Sequence, residues 1–267
     1  VGTFGRFQVT PDRTDDYSFL TPKLGVERTF EWGHLFLNLA RGARAPQASD
    51  LYRLQSAQLP GEIDVETNDS VEIGLSSELW GLVPDLGFEI VAFASRKDNY
   101  FFRDADGLNA PNGATESAGI ETRWDWRIRD DWQITGNLSW AEHTYAFDRP
   151  VARLEETIRS GTPVDTAPEW LADLSIRWAP DTPFAFSLDV EHVGAYFTSA
   201  DNSARYPGHT VAHFRGSYEI GESHQVFFVV RNLLDMAYAD RADFAFGNDR
   251  YFPGEPRSLT VGLRLRH

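Results

Sequence analysis

The sequence predicts an all-β fold, an antiparallel up-and-down β-barrel that crosses a membrane with its strands. Three observations predict it. Apolar and polar residues alternate along most of the chain, the connections between these segments alternate between short and long, and tryptophans recur near the segment ends. Hydrophobic residues make up 42% of the 267 residues, a share that excludes a wholly disordered chain.

Alternation with a period of two is clearest between Trp170 and Trp178. Every second residue there is apolar, whereas Asp173, Ser175 and Arg177 fall on the opposite face. A strand places residues i and i+2 on one face, while a helix would scatter them around its axis. Eleven such segments are predicted as strands, at about 17–28, 33–43, 68–79, 87–103, 116–128, 132–146, 168–179, 184–198, 209–220, 224–235 and 257–267.

The connections between the predicted strands alternate without exception between short and long ones. In an up-and-down sheet, alternate connections lie at opposite ends, so one end carries tight turns and the other long loops. Bacterial outer-membrane barrels have this arrangement, whereas a β-sandwich predicts shorter strands and Greek-key connections. The short connections lie at 29–32, 80–86, 129–131, 180–183 and 221–223, and the long ones at 44–67, 104–115, 147–167, 199–208 and 236–256.

Composition excludes several classes of function. The chain carries 25 Lys and Arg against 40 Asp and Glu, a formal net charge of −15, which argues against nucleic-acid binding. It has no Cys, so disulfides, thiolate metal sites and cysteine nucleophiles are excluded. The tryptophans near predicted strand ends suit the interface between lipid and water; they are Trp32, Trp80, Trp132, Trp170 and Trp178.

Four segments resemble motifs of the TonB-dependent outer-membrane receptors. Residues 40–52, ARGARAPQASDLY, resemble the family's RGFRAPSLxELY, and residues 66–75, ETNDSVEIGL, resemble its PExSxxYExGL strand. The stretch Asn232-Leu-Leu-Asp235 with Tyr238 is similar to NLFDxxY, and residues 250–257, RYFPGEPR, are similar to YYPGxPR. Each motif is weak alone, but four in the family's order over residues 40–267 make the resemblance specific.

The resemblance implies a fold and a location. These receptors are 22-stranded barrels whose lumen is plugged, and residues 1–267 would be the C-terminal portion of the barrel domain, about eleven strands, with the plug domain absent. The chain would lie in the outer membrane of a Gram-negative bacterium, in contact with lipid and lipopolysaccharide. The family usually ends in an aromatic residue that the barrel-assembly machinery reads, and His267 stands in its place here.

The resemblance also implies a function. The complete protein would take up a scarce nutrient, a ferric siderophore or a similar small-molecule metal chelate, with energy from the TonB complex acting through the missing N-terminal part. It would be no enzyme and would carry no cofactor. Copper, cobalamin, haem and carbohydrate remain open as ligands.

Physical chemistry accounts for some of the motif residues. Pro253 and Gly254 are expected to bend a loop back into the last strand, because glycine tolerates backbone angles that other residues resist. Asn232 and Asp235 can satisfy backbone groups where a strand leaves the sheet. Gly262 lies on the polar face of the last strand, where a missing side chain permits close approach.

The long loops combine arginines with aromatic rings. Such a mixture suits an anionic, aromatic metal chelate, through charge-assisted hydrogen bonds and stacking. The alternative for each ring is a place in the interfacial girdle. The predicted ligand contacts are Tyr52, Arg53, Tyr100, Arg103, Arg205, Tyr206, Arg241, Arg250 and Tyr251.

Two other functions are compatible with the sequence. A secreted or surface all-β module could present Trp and Tyr as glycan platforms, and a small outer-membrane enzyme could use Ser139 and His143. A resident metal is not expected: His209 and His213 share a strand face, but strand positions four apart are separated by about 13 Å.

Overall fold

The computed structural model describes residues 3–4, 7–8, 14–51, 63–77, 83–103, 109–150, 157–221, 223–245 and 247–265. Its main feature is one sheet of 11 antiparallel strands in which each strand pairs with its neighbours along the chain. The strands are β1 Lys23–Phe30, β2 Gly33–Arg44, β3 Glu66–Ser77, β4 Leu86–Arg103, β5 Asn109–Arg129, β6 Trp132–Tyr145, β7 Trp170–Trp178, β8 Phe184–Val193, β9 His209–Ile220, β10 His224–Arg231 and β11 Ser258–Leu265. The predicted up-and-down order of eleven strands is confirmed.

Short elements lie in the long connections. They are the one-turn helix α1, Ala48–Leu51, and hairpins formed by Thr3–Phe4 with Phe7–Gln8, Arg149–Pro150 with Thr157–Ile158, Tyr196–Phe197 with Arg205–Tyr206, and Ala239–Ala245 with Asn248–Pro253. Within the described ranges, no helix has the length and apolar character needed to cross a membrane.

The loop predicted at 104–115 is shorter in the structure than in the prediction. Strand β5 begins at Asn109, and its pairing with β4 continues through two register shifts beyond Asp98. The sequence contains Pro111, Asn112 and Gly113 within the predicted loop. In the structure Asn112 has a φ of 66°, and the irregular register accommodates it while the backbone hydrogen bonds to β4 continue.

Three other strands are shorter at one end than predicted. Strand β1 begins at Lys23 rather than 17, β8 ends at Val193 rather than 198, and β10 ends at Arg231 rather than 235. At the end of β10, Asn232 has a left-handed φ of 47°, outside the β region of regular strands, and the pairing of β10 with β9 and β11 stops before it.

The sheet has one apolar and one polar face. Across the middle of the apolar face, Ala92 pairs with Ile120, which pairs with Trp140. Leu259 and Val261 on the same face of β11 are 67% and 66% exposed. So much exposed apolar surface is what a lipid-facing wall requires.

The polar face is a continuous row of charged and amide side chains. Glu89 lies beside Arg123, Arg123 beside Asn137, and Asn137 beside Asp173. Asn137 Nδ2 donates to both Asp173 carboxylate oxygens at 3.0 Å. The predicted separation of faces is therefore confirmed.

Aromatic rings mark both edges of the apolar face. At the turn end the ring of Trp178 lies 6.2 Å from Trp132 and is stacked 5.7 Å from Phe186, and at the loop end the rings of Trp140 and Trp170 are 6.3 Å apart. Trp170 and Trp178 span about 26 Å along the strand at ~3.3 Å per residue. A barrel tilt of ~40° reduces this to about 20 Å, close to the apolar band of outer-membrane barrels. Trp80 lies outside the described residues.

In the described part of the chain, ion pairs lie on the apolar face only beyond the Trp140–Trp170 edge, among the strands β2 to β5. Arg41 donates to both carboxylate oxygens of Asp69 at 2.6 and 2.5 Å. Arg96, which pairs in register with Asp69, donates to Glu116 at 2.5 Å. These groups lie towards the long loops, above the apolar band, where water and lipid headgroups solvate charge.

Asn232 directly follows β10 and satisfies backbone groups there, as the sequence predicts. Its side chain is 1% exposed. Its Nδ2 donates to the carbonyls of Met236 at 2.9 Å and Glu255 at 3.0 Å, and its Oδ1 accepts from the Met236 N–H at 2.8 Å. Asp235 accepts from the Arg257 N–H at 3.4 Å. One side chain therefore joins the start and the end of the last long loop.

Gly254 of the last motif and Gly262 of β11 both act by close approach. A Cβ on Gly262 would lie 2.6 Å from Cε1 of Phe227, which confirms the expectation for that residue. The expectation for Gly254 was wrong. Its φ is not positive, and a Cβ there would collide with the Tyr238 ring, so the ring, not the backbone angle, requires glycine.

Gly119→Ala is predicted to destabilise the sheet, because the new Cβ would collide with the Trp140 carbonyl and lie 2.8 Å from Cβ of Ala141. Overpacking of this kind costs ~1–3 kcal/mol. The measurement is the urea midpoint of heat-modifiable gel migration for the full-length protein in outer membranes. Gly42→Ala is the control, because its Cβ would lie 3.9 Å from the nearest atom. Equal midpoints for both variants would contradict the prediction.

Asn232→Ala is predicted to lower the free energy of unfolding by about 2–3 kcal/mol, because buried backbone groups lose their partners. Leu234→Ala, two residues away and 72% exposed before substitution, should leave the urea midpoint unchanged. The expected extra signature is faster protease cleavage between residues 232 and 257. Wild-type cleavage and an unchanged midpoint in the Asn232 variant would show that these hydrogen bonds are dispensable.

Candidate functional site

The long-loop end of the polar face contains a cavity of about 560 Å³. Five adjacent strands, β2 to β6, line it, mostly with polar-face residues, and Val164 and Ala167 close one side. We call this space the mouth cavity. Successive side chains of a strand point to opposite faces of the sheet, so each strand contributes every second residue to the face that holds the cavity.

Among the described residues, the charged groups that line the mouth cavity are two cations and one carboxylate. Arg44 Nη2 donates to Glu66 Oε2 at 2.7 Å, and Lys97 Nζ lies 3.8 Å from Glu66 Oε1. Glu66 is the most enclosed of the three, with its side chain 17% exposed against 47% for Arg44 and 42% for Lys97. The group carries a net positive charge on a chain whose formal charge is −15.

His143 lies beside these charges on β6. Its Nδ1 is 2.8 Å from the hydroxyl oxygen of Ser117 on β5, and both residues line the mouth cavity. The enzyme hypothesis paired His143 with Ser139, whereas in the structure the serine beside His143 is Ser117. Ser139 lies four positions earlier on the same strand, in register with Glu121 and Leu171, so the proposed pair is about 13 Å apart.

Three long loops pack into one unit beside the cavity, which we call the loop cluster: 163–166, 196–206 and 239–253. Thr166 N–H donates to the Phe197 carbonyl at 2.7 Å. Phe244 N–H donates to the Thr198 carbonyl at 2.9 Å. These backbone bonds connect all three segments, so the loops form a fixed surface.

Two tyrosines form the core of the loop cluster. Tyr196 and Tyr206 are 8% and 5% exposed and pack against Ala239 and Ala242. The Tyr196 hydroxyl accepts from the Ala242 N–H at 2.9 Å. The Tyr206 hydroxyl accepts from the Ala239 N–H at 3.1 Å and lies 2.9 Å from Nδ1 of His209. Tyr206 was predicted as a ligand contact, and the structure places it inside.

A buried carboxylate lies in the last hairpin. Asp243 is 4% exposed. Arg250 Nε donates to its Oδ1 at 2.6 Å, and Arg241 Nη2 lies 2.6 Å from its Oδ2. Both guanidinium groups also lie 5.8 Å from the centroid of the Phe252 ring. Two predicted ligand arginines therefore neutralise a buried charge of their own hairpin.

A partly buried carboxylate, Asp165, belongs to the first segment of the loop cluster. Burial raises the pKa of Asp165, and the nearby Asp243 carboxylate acts in the same direction, while the Tyr145 hydroxyl, which donates to Asp165, opposes it. Arg241 also interacts with Asp165 electrostatically. Arg241 therefore interacts with carboxylates of two loops, Asp243 in its own hairpin and Asp165 in the first segment of the loop cluster.

The other predicted contacts are scattered. Arg205 is exposed, with its guanidinium 5.8 Å from the Phe197 ring centroid, and Tyr251 is 56% exposed. Tyr100 pairs with Gly113, and Arg103 is the last residue of β4. Tyr52 and Arg53 lie outside the described residues. The structure brings Arg205, Tyr206, Arg241, Arg250 and Tyr251 into the loop cluster.

Sequence reasoning missed Arg44, Lys97 and His143 as a group. The signal available was parity: Lys97 and His143 lie on the polar face of predicted strands near their loop ends, and Arg44 is the first residue after the predicted strand 33–43. Among the described residues, no three His, Cys, Asp or Glu side chains come together as a metal site. His213 Nδ1 accepts from the Asn232 N–H at 3.2 Å.

Comparison with known proteins places this arrangement in a family. A family model described as TonB dependent receptor-like, beta-barrel, matches residues 2–233. The metal-pseudopaline receptor CntO of Pseudomonas aeruginosa is 24% identical over 272 residues, and the match covers 98% of this chain and 36% of that receptor. The chain therefore spans little more than a third of the curated relative's length.

Solved structures show the same fold. The ferric yersiniabactin uptake receptor FyuA from Yersinia pestis superposes with a TM-score of 0.73 at 16% identity, covering 92% of this chain and 37% of that one. The siderophore receptor PiuA from Acinetobacter baumannii superposes with a TM-score of 0.76 at 16% identity, covering 93% and 36%. The family comprises transport receptors of the outer membrane of Gram-negative bacteria, and this chain belongs to it as a TonB-dependent receptor β-barrel.

Proposed function

We propose that this chain contributes the mouth of an outer-membrane receptor that binds a metal chelate, a ferric siderophore or a similar iron complex, and admits it to the periplasm. The observation that carries the proposal is the convergence, at the long-loop end, of the positively charged mouth cavity with the loop cluster. The names of CntO, FyuA and PiuA refer to a metal–pseudopaline complex, ferric yersiniabactin and siderophores, which supports this class of ligand.

A second cavity of about 240 Å³ connects the two parts of the proposed site. His143 and Ala167 line it as well as the mouth cavity, and Arg205 and Phe197 line it from the loop cluster. A ligand captured by the loop arginines would therefore meet His143 next. We assign Arg53 and Arg205 to first contact, and Arg241 and Arg250 to holding the loop surface in shape.

The proposal extends to the remainder of the protein. In the described part of the chain, β1 and β11 each pair on one side only, and unpaired strand edges do not occur in lipid. We propose that residues 1–267 form the C-terminal portion of a larger barrel, whose other strands pair with these edges. The TonB complex would act through a plug domain in the N-terminal part, with lipopolysaccharide and the barrel-assembly machinery as further partners.

Arg53→Ala and Arg205→Ala are each predicted to reduce uptake about tenfold, because a charge-assisted hydrogen bond contributes ~1.5–3 kcal/mol. The measurement is uptake of ⁵⁵Fe, complexed by siderophores of spent medium, into cells that carry the full-length receptor as their sole copy. Arg264→Ala is the control, because Arg264 lies at the turn end of the polar face and donates to Gln225.

The assembled receptor in each strain is quantified by heat-modifiable gel migration. Uptake that is independent of the receptor gene would refute iron-chelate transport altogether. Receptor-dependent uptake that both loop variants leave at the wild-type level would refute only the assignment of these two arginines.

A further inference from the structure

The polar face carries a line of arginines near the turn end of the sheet. Arg127 on β5 and Arg177 on β7 both pair in register with Gln133 of β6. Arg177 and Arg215 on β9 both pair with Ser187 of β8. Neighbouring strands lie ~4.8 Å apart, so the three arginines follow one another at intervals of about 10 Å. We call Arg127, Arg177 and Arg215 the arginine row.

Two members of the arginine row lack a partner within the described part of the chain. The guanidinium groups of Arg127 and Arg177 are exposed and form no hydrogen bond or ion pair with a described residue. Asp125 lies two positions before Arg127 on the same face, but its carboxylate accepts from Gln133 Nε2 at 2.9 and 3.0 Å. The carboxylate beside Arg127 is therefore bonded to another side chain.

The carboxylate on the other side of the row is engaged as well. Asp189 Oδ1 accepts from the Ser175 hydroxyl at 2.8 Å, and Asp189 Oδ2 lies 3.5 Å from Arg215 Nη2. Asp189 therefore pairs with the third member of the row, and Arg177 is left to face the space that the polar face encloses.

Arg123 shows a different environment one step further along β5. It is exposed and also has no bonded partner among the described side chains. It nevertheless pairs in register with Glu89 and lies two positions from Glu121 on the same face. Carboxylates surround Arg123, whereas the arginine row presents guanidinium groups whose neighbouring carboxylates are already bonded.

We propose that the arginine row is a surface on which the plug domain docks inside the barrel, and that carboxylates of that domain bind Arg127 and Arg177. The inference rests on the proposed function, in which the N-terminal part of the complete receptor supplies the plug. A guanidinium group binds a carboxylate through two parallel hydrogen bonds. Complementary charges of this kind fix the orientation of a docked surface.

The position of the row favours a domain of the same protein over the transported chelate as the partner. Gln133 of the row and His143 of the mouth cavity lie ten positions apart on β6, ~33 Å along the strand. A barrel tilt of ~40° reduces this to about 25 Å along the axis, so a chelate held in the mouth cavity does not reach the row.

The length of the related receptor leaves room for such a domain. The match covers 36% of CntO, so most of a receptor of that length lies outside the part that resembles this chain. Barrels of 22 strands have a plugged lumen, and the polar face is the side of the sheet that lines the lumen. A plug domain therefore has access to the arginine row.

The test uses the purified full-length receptor with Arg127→Lys or Arg177→Lys. Each variant keeps the positive charge and supplies an amine, which a water-soluble carbodiimide joins to a carboxylate in contact with it as an amide. Digestion and mass spectrometry identify the linked peptides. The expected result is a link from position 127 or 177 to an Asp or Glu that precedes Val1 in the complete protein.

Arg28→Lys is the matched control. Arg28 lies at the turn end of β1, but it pairs in register with Leu35 on the apolar face. Links to the plug domain from position 127 or 177 should exceed those from position 28 at least about tenfold. Heat-modifiable gel migration verifies that each variant is assembled.

Two results would overturn the inference in assembled receptor. One is that positions 127 and 177 link only to carboxylates within residues 1–267, such as Asp125 or Asp189. The other is that neither position forms a link.

Failure of this inference is distinguishable from failure of the proposed function. ⁵⁵Fe uptake that does not depend on the receptor gene removes the function, whatever the cross-links show. A receptor that transports ⁵⁵Fe–siderophore without links from the arginine row keeps its function, and its plug domain docks on other residues.

Discussion

Inside a lipid bilayer no water is available to the backbone, so each amide that crosses it must find a partner on a neighbouring strand. In this chain the pairing runs without crossover through 11 strands. Everything else depends on it. Continuous pairing forces side chains to alternate between two faces, and one face meets lipid while the other carries the charges.

The same constraint decides where charge is tolerated. On the apolar face the pairs Arg41–Asp69 and Arg96–Glu116 lie beyond the Trp140–Trp170 edge. On the polar face charges extend down the strands, as Glu89, Arg123 and Asp173 do. The polar face is therefore hydrated along its length, whereas the apolar face is free of ion pairs in its lipid-facing band and carries them only at its loop end. An outer-membrane barrel requires this distribution.

Outside the bilayer, the loops pack as the interior of a soluble protein does. Tyr196 and Tyr206 are buried with their hydroxyls bonded to backbone groups. Asp243 lies between two arginines because an unpaired buried carboxylate is costly. The loop cluster is thus a small folded unit on top of the sheet, and its rigidity gives the mouth cavity a defined wall at Val164 and Ala167.

The sequence by itself determined the number, order and faces of the strands, because alternation is a local property and short turns make chain neighbours pair. The roles of Asn232 and Gly262 were also predictable, because they depend on the residue type and its position in or beside a strand. Tertiary structure decided what depends on distant parts of the chain: that Arg241 and Arg250 meet Asp243, that the Tyr238 ring covers Gly254, and that Arg44, Lys97 and His143 line one cavity. Composition shows which side chains loops and strand ends carry, but only the register of β2 to β6 and the packing of the loops place them within reach of one ligand.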